Sequence, residues 1–137
     1  MIHYSIDIQI STETFIDLLE RSGLSERRPV EDRQCIARML ENTDLLVTAW
    51  EGKLLVGVAR SVTDFAYCCY LSDLAVDRDF QKRGIGRELI RLTQNELGDK
   101  CSLILLSAPA ASKYYPHLGF EQHSSAWVLS QGKSEVR

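Results

Sequence analysis

The stretch Gln81-Lys82-Arg83-Gly84-Ile85-Gly86 joins an apolar strand, Tyr70 to Val76, to an amphipathic helix that the spacing carries to about Leu97. A strand, a glycine turn and a helix start in that order form a ready cradle for an anion. Glycines let backbone approach a ligand closely, and the free N–H groups and dipole of a helix start favour negative charge. Lys82, Arg83 and Arg87 add positive charge at the same place. Read without the glycines, those cations are an ordinary solvated cluster. With Gly84 and Gly86 between them, phosphate binding is the better account.

At 137 residues the chain is expected to be one domain, 1–137, with a polar, frayed tail at 131–137. A hydrophobic fraction of 45% beside 26% charged residues is that of a globular protein, which argues against disorder and coiled coil. A net charge of −3 argues against nucleic-acid binding, which calls for a basic face. No apolar run approaches the roughly 20 residues of a membrane span, and Met1-Ile2-His3-Tyr4 does not begin a secretory signal, so the expected compartment is cytoplasmic.

Strands and helices are mixed along the chain. Tyr4, Ile6, Ile8 and Ile10 alternate with polar residues as a first strand would. A helix follows Ser11, with Phe15, Leu18 and Leu19 on its buried face, and Gly23 ends it. A second helix follows Pro29, burying Ile36, Met39 and Leu40, with Asn42 near its end. Leu45 to Trp50 and Leu54 to Val62 flank Glu51-Gly52-Lys53, a hairpin signal. Tyr67 to Val76 is the third strand of this run, and Ile85, Leu89, Leu92 and Leu97 mark the packed face of the helix after the glycine turn. Leu103 to Leu106 is expected as a buried strand, Ala110 to Leu118 as a last helix and Ala126 to Ser130 as a closing strand.

Cys35, Cys68, Cys69 and Cys101 lack Cys-x-x-Cys spacing and lie in apolar segments, which reads as reduced core thiols with no metal site. Adjacent Cys68 and Cys69 on a strand point to opposite faces and make a poor two-ligand clamp.

The segment Asp73-Leu74-Ala75-Val76-Asp77-Arg78-Asp79-Phe80-Gln81-Lys82-Arg83-Gly84-Ile85-Gly86-Arg87-Glu88-Leu89 closely resembles the acetyl-CoA signature of the GNAT superfamily of N-acetyltransferases. Ala111-Ser112-Lys113-Tyr114-Tyr115-Pro116-His117-Leu118-Gly119-Phe120 is similar to that family's late helix, and the combined resemblance runs from Val47 to Phe120. It implies an α+β fold: a mixed, mostly antiparallel sheet flanked by about four helices and splayed where the motif strand leaves its partner. It also implies acetyl-CoA as co-substrate, with its pantetheine arm along the backbone of Leu74, Ala75 and Val76 and its pyrophosphate over Gln81, Lys82, Arg83, Gly84, Ile85, Gly86 and Arg87. Ala108 stands where many members carry an Asn that holds the cofactor chain.

In such an enzyme a neutral amine attacks the thioester and the departing thiolate takes a proton. Tyr115 matches the position from which a tyrosine often supplies it, and a phenol with a pKa of about 10 stays protonated at neutral pH. The other reading is that Tyr115 packs against the sheet, as Tyr114 is expected to do. Asp73 interrupts an apolar strand, so it is either a general base facing a cleft or half of a salt bridge to an arginine. His117 and His123 are further candidate bases, although His117 lies at a helix end where capping is the plainer role.

The acceptor would meet the first two helices and a strand hairpin, where Arg28, Asp64, Phe65 and Tyr67 are candidate substrate residues among Glu26, Arg27, Asp32 and Arg33. Carboxylates there suit a cationic amine and arginines suit a carboxylate or phosphate. The implied partner is a small-molecule amine or amino-acid derivative, with a protein lysine or N-terminus as the alternative and no nucleic acid or membrane. Homodimers are common in similar proteins. A non-catalytic acyl-CoA sensor would keep the Gly84 cradle without needing Tyr115.

Overall fold

A computed structural model describes residues 1–132. These fall into two compact units, Met1–Leu106 and the stretch from Ser107 onward. The first holds a five-stranded sheet in sequential order: β1 (Ile2–Ser5), β2 (Leu45–Glu51), β3 (Leu54–Thr63), β4 (Cys68–Val76) and β5 (Ser102–Ile104). The first four strands pair antiparallel and β5 joins β4 in parallel. Three α-helices accompany them: α1 (Thr12–Ser22), α2 (Arg33–Glu41) and α3 (Ile85–Asn95).

Caps fix the helix ends. Ser11 accepts the N–H of Thr14 at the start of α1, and Gly23 closes it with φ 87°, a left-handed turn that suits glycine. Asp32 caps α2 through the N–H of Cys35. Phe15, Leu18 and Leu19 of α1 and Ile36 of α2 meet Leu55, Val58 and Ala75 on one face of the sheet. Each large side chain so buried contributes about 1.5–3 kcal/mol. Successive strand residues face opposite sides, so Gly57 looks the other way, toward α3. A Cβ there would lie 3.1 Å from both Ile85 Cγ2 and Leu89 Cδ1, so the glycine lets the helix seat directly on the strand.

Several expected elements differ. The first strand stops at Ser5, because Ser5↔Thr48 is the last pair it makes with β2. The strand expected at 103–106 is β5, only three residues long, and Ile104 and Leu106 are each 53% exposed rather than buried. α3 buries Ile85, Leu89, Ile90 and Thr93, and Leu97 lies beyond its end. In the second unit the helix expected over 110–118 is two 3-10 turns, Pro109–Ala111 and Tyr115–Leu118. Pro116 lacks the N–H that a continuous helix would need there. No strand forms at 126–130 among the described residues, and the expected tail at 131–137 lies outside them from 133 onward. Of the cysteines only Cys69 is buried; Cys68, on the opposite face of β4, is exposed, and all four thiols are free. Among the described residues no helix is long and apolar enough to cross a membrane.

The β3–β4 hairpin turn is built around Asp64, whose Oδ1 accepts the N–H groups of Tyr67, Ala66 and Cys68 at 2.8, 3.0 and 3.1 Å. These bonds, that of Tyr67 foremost, pull its pKa down to about 2. A depressed folded pKa means the charged carboxylate's contribution is complete above an unfolded value of about 4 and is lost as pH falls through about 2. The amide resonances of Tyr67 and Cys68 should therefore titrate near pH 2 in NMR spectra and stay still in Asp64→Asn. A midpoint near 4 would show that the turn is not held this way.

Candidate active site

The turn leaving β4 is tied down before it reaches the glycines. Asp77 donates its N–H to Val56 O at 2.9 Å and accepts the N–H of Asp79 at 2.8 Å on its carboxylate. Arg21, from the last turn of α1, pairs with the same carboxylate and donates to Leu55 O at 2.7 Å. That bond continues the β3–β4 register one step past Gly57↔Val76, while on the β2 side Val56 is the extra residue of a β-bulge: Ala49↔Gly57 is followed by Trp50↔Leu55. Gln81 turns back and donates its side-chain amide to Val76 O at 3.1 Å. Phe80 is buried, with the Arg83 guanidinium 4.8 Å from its ring centroid.

Lys82 (φ 65°) and Gly84 (φ 80°) then adopt left-handed backbone and launch α3. Among the described residues no side chain caps this helix start, and the N–H groups of Ile85, Gly86 and Arg87 are first-turn donors that a helix leaves unpaired. Lys82, Arg83 and Arg87 are exposed around them, and among the described residues no carboxylate pairs with any of the three. The space beyond Gly84 is open. Uncapped donors, unpaired cations and open space fit a phosphate group.

On the β5 side, β4 has a partner only from Cys68 to Tyr70. Among the described residues, Leu71 to Val76 has no strand neighbour there, so the sequence-predicted Leu74, Ala75 and Val76 lie on an open edge that leads into the glycine turn. The Ala75 side chain is spent on the core.

Asp73 lies on the face covered by α1 and α2 and is completely buried. Of its two expected roles, the structure gives it the salt bridge. Arg28 Nε donates to one carboxylate oxygen and Arg60 Nε to the other. Arg60 also donates to Met39 O, Thr43 Oγ1 and Ser72 Oγ at 3.1, 3.3 and 3.1 Å, and Arg28 to Ser72 O at 2.7 Å. Ser72 is itself the extra residue of a second bulge, between Arg60↔Asp73 and Ser61↔Leu71. With both carboxylate oxygens taken by guanidiniums and no exposed surface, Asp73 does not face a cleft as a base would, and Arg28 is engaged within the protein.

The other proposed substrate residues lie in and around the β3–β4 turn, where the Asp64 carboxylate is committed and the side chains of Phe65 and Tyr67 are exposed. Asp64 holds its own turn, Phe65 O accepts the N–H of Gly98 at 2.8 Å, and Tyr67 is 74% exposed while its carbonyl accepts the N–H of Ser102 at 3.0 Å. They precede β4, and Tyr67, the nearest, is about 30 Å of strand from Val76 at ~3.3 Å per residue. Sequence reasoning missed Arg60 and the Arg21–Asp77 pair; the available signal was an arginine inside the otherwise apolar run Leu54 to Val62.

In the second unit Tyr115 packs edge-on against Tyr114 and Phe120, with ring centroids at 5.3 and 5.6 Å. Burial first, and Tyr114 second, push its phenol above the usual value, which keeps its proton in place at neutral pH. Ala108 precedes the 3-10 turn at Pro109 and offers no side-chain cap. Among the described residues no group of three or more His, Cys, Asp or Glu is placed to hold a metal ion.

The acetyltransferase (GNAT) domain family matches residues 20–132, and the chain belongs to that family. It is 24% identical over 123 residues to the uncharacterised N-acetyltransferase ycf52 of Gracilaria tenuistipitata var. liui, covering 84% of this chain and 68% of that one. It is 33% identical over 76 residues to the histone acetyltransferase TAP1 of Glycine max, covering 52% of this chain and only 32% of that protein. The fold matches AAC(6')-Iy in complex with the bisubstrate analogue CoA-S-monomethyl-acetylneamine, with a TM-score of 0.72 at 18% identity over 96% of this chain and 98% of that one.

If Asp73 is structural, Asp73→Asn leaves the buried Arg60 and the half-buried Arg28 without their counter-charge. Denaturant unfolding should show a loss of about 3–5 kcal/mol. A variant of parental stability would return Asp73 to the list of candidate bases.

Proposed function

We propose that this protein transfers the acetyl group of acetyl-CoA to the primary amine of a small molecule or amino-acid derivative, by direct attack in a ternary complex. The observation that carries the reading is the uncapped start of α3, with Gly84 and the unpaired Lys82 and Arg87, at the end of the open β4 edge. An extended arm ending in a pyrophosphate is the ligand shape that such an edge and cradle suit together. Membership of the acetyltransferase family supports the chemistry, and the CoA-linked aminoglycoside analogue bound by a protein of the same fold supports a small amine as acceptor. Four free thiols suit a reducing compartment such as the cytoplasm.

The Gly84 turn holds the cofactor's phosphates through backbone N–H groups, while Lys82 and Arg87 supply counter-charge. The neutral amine forms the new N–C bond, the C–S bond breaks, and the thiolate takes the proton of Tyr115. With Asp73 held by two arginines, the amine loses its proton to water, so the rate rises with the neutral fraction of the acceptor.

Thiol release from acetyl-CoA, measured over aminoglycosides, polyamines and amino-acid amides beside a lysine-bearing histone peptide, tests the reading directly. Turnover on a small amine is the expected result; acetylation of the peptide alone would overturn the acceptor class. Gly84→Val strains a left-handed position and puts a branched side chain into the cradle, so calorimetry should find acetyl-CoA affinity down at least tenfold, about 1.4 kcal/mol. Tyr115→Phe should slow turnover roughly 10- to 1,000-fold with that affinity unchanged, while Tyr114→Phe keeps most of the rate.

A further inference from the structure

The alternation of Tyr4, Ile6, Ile8 and Ile10 is a strand pattern, yet pairing ends at Ser5↔Thr48. Beyond that point the chain swings away from β2, and among the described residues neither Ile6 to Ile10 nor the facing edge of Leu45 to Val47 has a strand neighbour on that side. The opening is a cleft of about 640 Å³ whose apolar lining includes Ile6, Ile8, Ile10, Leu40 and Leu46. Ile6 and Ile8 are 46% and 45% exposed. Among the described residues the charged groups lining it are Asp7, Glu41 and Asp44, with no lysine, arginine or histidine. Asp44 is partly used, accepting the N–H of Thr63 at 2.9 Å, and Asp7 accepts the Ser5 hydroxyl at 2.7 Å, whereas Glu41 has no ion-pair partner among the described residues. The cleft lies at the β1–β2 side of the sheet, with β3 between it and the β4 edge that leads to Gly84.

We propose that this cleft is a docking site for an extended, lysine- or arginine-bearing segment of another polypeptide. Backbone from Ile6 to Ile10 with no strand neighbour among the described residues, facing the partly exposed Leu46, favours a ligand with a main chain of its own, which can add as a strand. The isoleucines take apolar side chains on one side of that strand, and the carboxylates draw cations on the other. A compact cation would meet the acids and leave the isoleucines in water.

The test is calorimetry on the full chain with a blocked decapeptide of alternating lysine and valine, beside its glutamate-for-lysine counterpart and free spermine. The lysine peptide should bind and the glutamate peptide should not. Ile8→Lys, which places a cation and a long side chain in the cleft, should weaken binding about tenfold or more, and Glu41→Gln should weaken it measurably, both with parental acetyl-CoA affinity. If Ile8→Lys does not fold, Glu41→Gln alone decides. Failure of the lysine peptide to bind, equal binding of the glutamate peptide, or indifference to Glu41→Gln would overturn the proposal. Spermine competing at equal affinity would also overturn it, as would a dimer in sedimentation that Glu41→Gln dissolves, since the occupant would then be a small cation or a second copy.

Discussion

A carboxylate with no access to water must be matched by charge on the spot, and the first unit is arranged around one such match. Asp73 sits in β4, Arg60 beside it in β3, and Arg28 in the chain that follows the 3-10 turn Leu24–Arg27 after α1. Arg60 then reaches Met39 O at the end of α2. The ion cluster therefore joins both helices of that face to the two central strands. Its geometry is exacting, because each guanidinium also needs carbonyl or hydroxyl acceptors for its remaining donors, and the bulge at Ser72 supplies two of them. Buried ion pairs add little net stability when compared with apolar replacements, but they penalise every arrangement in which one partner is missing. The cluster thus acts on register. A one-residue slip of β4 would move Asp73 to the α3 face and strand both arginines.

The second fixed point is the seat of α3. Gly57 allows Ile85 and Leu89 to approach β3 at van der Waals distance, and Asp77, held by Arg21 and Val56, sets where the chain leaves β4. Between these anchors the segment from Arg78 to Gly84 has little freedom. The left-handed residues Lys82 and Gly84 are what let it close the distance and begin a helix with its donors facing out. Preorganisation of this kind matters for an anion site, since backbone donors bind well only when no ordering remains to be done on binding.

How much of this was legible depended on the range of the interaction. Ser11, Gly23 and Asn42 mark helix ends correctly because capping is local chemistry, and Gly52 (φ 58°) marks the β2–β3 turn for the same reason, whereas the second helix starts at Arg33 behind an Asp32 cap that the sequence alone presents only as a charge near the acceptor. The glycine turn before α3 is equally local. The partners of Asp73 are 13 and 45 residues away, so the sequence shows a costly acid without showing what neutralises it. Strand ends fail for a related reason. Alternation says that a segment would make a good strand, but a strand exists only beside a partner, and among the described residues neither Ile6 to Ile10 nor Leu106 has one. The helix expected at Ala110 to Leu118 fails on a cue that was present, since Pro116 lies inside it.

The sheet is interrupted where its strands part, and both partings leave strand backbone unpaired. β5 leaves β4 after Tyr70, and β1 leaves β2 after Ser5, each time exposing backbone that cannot stay unpaired without water or a ligand. The two openings differ in electrostatics. At β4 the edge leads into unpaired Lys82 and Arg87 and the positive end of α3, a setting for an anionic ligand with an extended arm. At β1 the opening is lined by Asp7, Glu41 and Asp44, a setting for cations. Because α3 and its loop are anchored through Gly57 and Asp77, and the β1 opening through Ser5 and Thr48, changes at one opening need not disturb the other. That separation puts openings of opposite charge on one small sheet.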